Sequence, residues 1–88
     1  VSDENNRKAV CAELVRLLSQ ERQRQGVSMN ALAAKSGLSQ SFISMFESQP
    51  ANPTVDTLLR ISEALGLNLG TVVQQALANT STDSPTGK

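Results

Sequence analysis

Gln40, Ser41, Ser44 and Met45 stand close together, shortly after Gly37 and Ser39. Their types suit one kind of chemistry. An amide offers a donor and an acceptor side by side, and a hydroxyl offers either role on a short stem. Such groups can hydrogen-bond the edges of nucleobases: Gln pairs bidentately with adenine, and Ser bonds either partner of a base pair. The stretch QSFISMFES carries one Glu and no Lys or Arg, unlike an ordinary solvated helix. Ser is also a common helix cap, so Ser39 alone carries little weight.

Side chains read a surface only when something holds them in place. Ser28 is a good N-cap for a helix over MNALAAKS, and Ser39 for one over QSFISMFES. Gly37 separates them, as a turn of positive φ requires. Ala33, Gly37 and Ile43 supply in order a small residue for close approach, a permissive turn and an inner anchor. Leu32, Leu38 and Phe46 complete the inner faces. Ile43 and Phe46, at i and i+3, turn inward together and leave Gln40, Ser41, Ser44 and Met45 outward or sideways.

Three further helices complete the chain. From about Asn5, Val10, Leu14, Leu17 and Leu18 repeat at helical spacing, with Cys11 and Val15 widening that face; Gly26 is the stop. Residues 48–53, with two prolines, read as a loop. Thr54 caps a fourth helix, Asp56 suits its positive end, and Leu58, Leu59, Ile61, Ala64 and Leu65 form its buried stripe up to Gly66. Asn68 opens a fifth, holding Leu69, Val72, Val73, Ala76 and Leu77. The expected organisation is all-α: a flexible N-terminus over 1–6, a compact five-helix domain over 7–77, and a disordered tail or linker over 78–88.

Composition narrows the function. Eight basic and eight acidic residues leave a net charge of zero, so a strongly basic, non-specific nucleic-acid binder is not expected. The 88 residues contain no His and a single Cys, Cys11, and show no Gly-rich phosphate loop. An enzyme, a metal site and a cofactor are therefore not expected. Cys11 reads as a small packing residue in a reducing, cytoplasmic setting. No apolar run approaches membrane-spanning length, and VSDENNRK is no signal peptide.

The segment Ser28–Leu69 resembles the lambda-repressor-like (Cro/repressor, Xre-type) helix-turn-helix family. The resemblance is carried by Leu32-Ala33, Ser36-Gly37-Leu38-Ser39, Ile43-Ser44, Glu47, Pro53, Thr57-Leu58 and Ala64-Leu65-Gly66. It implies a five-helix DNA-binding domain with the third helix in the major groove. It implies a transcriptional regulator, commonly a homodimer on a palindromic operator of double-stranded DNA. Carried over by position, Gln40, Ser41, Ser44 and Met45 match base-facing residues. Ser28, Met29, Asn30, Ser39 and Phe42 match residues at the sugar-phosphate backbone, although Phe42 also fits a half-buried staple. Arg22 matches an arginine that pairs with Glu47 and ties the first helix to the third.

Two departures stand out. Ser48-Gln49-Pro50-Ala51-Asn52 replaces a glycine usual soon after the glutamate. Basic residues near the expected interface are few, with Arg24 and Lys35 the candidate phosphate neutralisers. So few cations predict a shallow salt dependence and a need for two half-sites. The fifth helix is the first candidate for self-association and the long first helix the second. Two other readings stay open. One is a protein-interaction module on the same fold, using a Met45–Phe42 patch. The other is the DNA-binding half of a larger regulator, joined through the Ser/Thr/Pro/Gly-rich segment 79–87.

Overall fold

A computed structural model of the chain describes residues 4–49 and 53–80. The described residues form five α-helices: α1 (Glu4–Arg24), α2 (Met29–Ser36), α3 (Gln40–Ser48), α4 (Val55–Ala64) and α5 (Leu69–Thr80). Among the described residues there is no strand. Helix α1 begins at Glu4, and α5 runs on to Thr80, where the Thr80 hydroxyl donates to the Ala76 carbonyl at 2.9 Å. The first helix thus starts within a residue of the expected Asn5, and the fifth runs on past Leu77, the last of its apolar period, because polar residues can prolong a turn through local bonds. The tail beyond Thr80, Val1 to Asp3, and Pro50 to Asn52 of the expected loop lie outside the described residues.

Local chemistry sets the helix ends. The hydroxyls of Ser28, Ser39 and Thr54 accept from the amides of Ala31, Phe42 and Thr57 at 3.0, 3.0 and 3.1 Å. Each satisfies one of the donors a helix start leaves without an intrahelical partner. Asn68 Oδ1 does the same for Thr71 N–H at 3.1 Å. At the far end of α2, the amides of Gly37 and Leu38 both donate to the Ala33 carbonyl, at 3.0 and 3.1 Å. That closure needs the left-handed conformation at Gly37, φ +75°, which costs an L-residue roughly 1–2 kcal/mol.

One core joins all five helices. It holds Leu14, Val15 and Leu18 of α1, Leu32 and Ala33 of α2, Ile43 and Phe46 of α3, Leu58 and Ile61 of α4, Leu65 and Ala76. Ile43 and Ala76 are completely buried. Helix α1 packs along α5, α2 against both α3 and α4, and α3 against α1. Leu59, expected in the α4 stripe, is instead 40 % exposed. Leu58, Ile61, Ser62 and Leu65 already fill the inward arc, and Leu59 lies a helical step outside it. The buried hydroxyl of Ser62 donates to the Leu58 carbonyl at 2.7 Å, so it leaves no unpaired polar group.

A polar link fastens the end of α5 to α1. Asn79 Nδ2 donates to Glu13 Oε2 at 2.7 Å, and Arg16 donates to the same carboxylate through Nε at 2.8 Å and Nη2 at 2.6 Å. The Arg16 bonds first, then the Asn79 bond, lower the Glu13 pKa from 4.5 to about 2. The unfolded chain therefore binds more protons than the folded one in this window. The stabilisation is complete above about pH 4.5 and is lost as pH falls towards 2. The melting temperature should fall across that window, and Glu13→Gln should flatten the fall. A variant with the parent's slope would contradict this.

Candidate nucleic-acid interface

The exposed arc of α3 follows from what the core takes. Ile43 and Phe46 face inward, so Gln40, Ser41 and Met45 are exposed and Ser44 is half-buried. Met45 keeps 51 % of its surface. Phe42 is half-buried and stacks on Phe46, with ring centroids 6.2 Å apart and an interplanar angle of 23°. Its ring fastens α3 to the core while one edge stays at the surface. The Ser44 carbonyl accepts from Ser48 Oγ at 2.8 Å, which closes the last turn.

The start of α2 lies against the start of α3. Gln40 Nε2 donates to Met29 Sδ at 4.0 Å. Met29 is half-buried, and Asn30 and Ser28 are exposed. The hydroxyl oxygens of Ser28 and Ser39 are occupied as caps, which leaves each O–H able to donate outward. The first N–H groups of both helices have no intrahelical acceptor and sit at the positive end of the dipole, an arrangement that favours anions. Two helix starts, two hydroxyls and an amide therefore gather at one edge.

A buried ion pair braces this edge. Arg22 Nε donates to Glu47 Oε2 at 2.7 Å and Nη2 to Oε1 at 3.0 Å, a bidentate fork. The two side chains keep only 11 % and 8 % of their surface. Arg22 Nη1 also donates to the Val27 carbonyl at 2.7 Å, just before α2. One guanidinium thus joins the end of α1, the approach to α2 and the end of α3. The hydrogen bonds to Glu47 raise the Arg22 pKa above its ordinary value, against the opposing effect of burial. Ser19, which sequence reasoning missed, donates to Glu47 Oε1 at 3.0 Å and accepts from Gln23 Nε2 at 3.2 Å. Helical spacing from Arg22 is the signal that could have found it, since i−3 shares a face.

The two candidate phosphate neutralisers lie elsewhere. Arg24 is ion-paired with Glu21 and lines a groove with Leu67, Thr71 and Val72 of the α4–α5 turn and α5. Lys35 lines a groove with Asp56, Leu59, Arg60 and Glu63 of α4. Neither groove includes a residue of α3. Charge alone could not show these neighbours, because they depend on how the helices pack. Among the described residues no group of three or more His, Cys, Asp or Glu could hold a metal ion, and Cys11 is half-buried. No helix of the described residues is long and apolar enough to cross a membrane.

Two short helices joined at Gly37, the second exposed, capped at its start and braced at its end, define the class of helix-turn-helix domains that bind DNA. Comparison with known proteins agrees. The helix-turn-helix family profile matches residues 18–72. An uncharacterised HTH-type transcriptional regulator of Sinorhizobium fredii (strain NBRC 101917 / NGR234), y4dJ, is 37 % identical over 62 residues, which cover 70 % of this chain and 75 % of that protein. The chain belongs to the lambda-repressor-like helix-turn-helix family.

Proposed function

We propose that this chain is a sequence-specific transcriptional regulator that binds a palindromic DNA operator as a homodimer, with α3 in the major groove. The observation that carries this reading is the uncovered face of α3. Gln40, Ser41, Ser44 and Met45 occupy it, on a helix fixed by the Arg22–Glu47 pair. Gln40 is suited to an adenine, the serines to either member of a pair, and Met45 to a thymine methyl. Ser28, Met29, Asn30, Ser39 and the edge of Phe42 face the sugar-phosphate backbone, helped by the two helix starts. Such contacts set register without adding many cations. Arg24 and Lys35 contribute through the general field rather than by direct contact.

The dimer surface we infer is α5, where Leu77 is 50 % exposed and Val72 and Val73 are half-buried. A second copy covering Leu77 would supply the second α3 helix that a palindrome requires. Fluorescence anisotropy on a palindromic duplex and on its half-site tests the reading. The palindrome is expected to bind far more tightly than the half-site, with a salt slope for the dimer no steeper than about −3.6, the value if Arg24 and Lys35 of both copies each neutralised a phosphate. Equal affinity for the half-site by a strictly monomeric chain would contradict it.

A further inference from the structure

The turn between α2 and α3 is held from outside by a residue of α4. Arg60 Nη1 donates to the Ser36 carbonyl at 3.3 Å. That carbonyl belongs to the last turn of α2, where no intrahelical donor remains and the dipole is negative. The guanidinium is aimed by its other edge, since Arg60 Nε donates to Asp56 Oδ2 at 2.8 Å one turn earlier on α4. Access depends on the residue that follows Ser36. A Cβ at Gly37 would lie 3.1 Å from Arg60 Nη1. The absence of a side chain there thus serves two ends: it permits φ +75°, and it admits the cation to the end of α2. The pairing with Asp56 also raises the Arg60 pKa, so the charge persists at any ordinary pH.

We infer that Arg60 is a positioning residue for the recognition helix: by clamping the Ser36 carbonyl beside Gly37, it makes α4 a brace that sets the angle between α2 and α3. Arg22 and Glu47 fix the far end of α3, and Arg60 fixes the turn from which it starts. The consequence for DNA rests on the reading of α3 given above. The consequence for helix orientation does not.

The variants Arg60→Met and Asp56→Ala test this beside Ile61→Val, a core change on the same helix that costs stability without touching the clamp. Amide residual dipolar couplings report the orientation of α3 relative to α4 with no DNA present. Arg60→Met is expected to shift the α3 couplings away from the parent's orientation. Asp56→Ala moves them the same way by less, and Ile61→Val leaves them in place. On a duplex selected by the parent chain, Arg60→Met is expected to lose about tenfold in discrimination between that duplex and one altered at the base pair under Gln40. A variant that has only lost stability scales both affinities alike and keeps the ratio. Unchanged α3 couplings in Arg60→Met, or an equal shift in Ile61→Val, would overturn the brace. If the parent binds no duplex, the DNA-reading role fails and the couplings still decide the clamp.

Discussion

Arg22→Ala is expected to lower the unfolding free energy by about 3–5 kcal/mol, the scale of breaking a buried pair by removing one partner. The arginine makes three hydrogen bonds, two to Glu47 and one to the Val27 carbonyl. Its loss strands a carboxylate that keeps 8 % of its surface, with Ser19 as its remaining donor. That carboxylate also sits at the negative end of α3, where the dipole opposes it. A domain of this size has about 5–15 kcal/mol in total, so the loss removes a large share of its stability. Urea denaturation of the parent and variant reads the difference directly. Replacing both partners, Arg22→Met with Glu47→Leu, should return to within about 1–2 kcal/mol of the parent, because no buried charge is left unpaired. A single-variant loss below about 1 kcal/mol, typical of an exposed pair, would show that the pair is not the brace described here.

The second large effect concerns reading rather than folding. Gln40→Ala should weaken binding to the parent's selected duplex by about 1–3 kcal/mol, roughly a factor of 5 to 150. It should also relax the preference at one base pair while leaving the others intact. Stability should change little, because Gln40 is exposed and its contact with Met29 Sδ is long, at 4.0 Å. A selection repeated with the variant would show the relaxed position. An unchanged affinity together with an unchanged preference would remove Gln40 from the reading face.

The parts of this architecture that were legible in the sequence are those governed by local physics. Ser28, Ser39 and Thr54 cap their helices because a hydroxyl reaches an amide three residues on, whatever the rest of the chain does. Gly37 ends α2 for an equally local reason. The outward face of α3 followed from the inward pair Ile43 and Phe46. The Arg22–Glu47 pair spans 25 residues and came from the family pattern, not from spacing. The contacts that escaped the sequence are those made through space. Arg60 meets Ser36 because α4 packs on α2. Arg24 and Lys35 carry the right charge but sit against Glu21 and the α4 groove, which only the packing decides. Leu59 illustrates the same limit: an apolar residue next to a buried stripe is not necessarily part of it.

The most direct test of the account is a selection of bound duplexes from a random-sequence pool, carried out at two salt concentrations. If the amide and hydroxyls of α3 read base edges on a two-fold assembly, a palindromic consensus should emerge at both, with its half-sites one helical turn apart. Failure to retain any duplex, even at low ionic strength, would contradict the account.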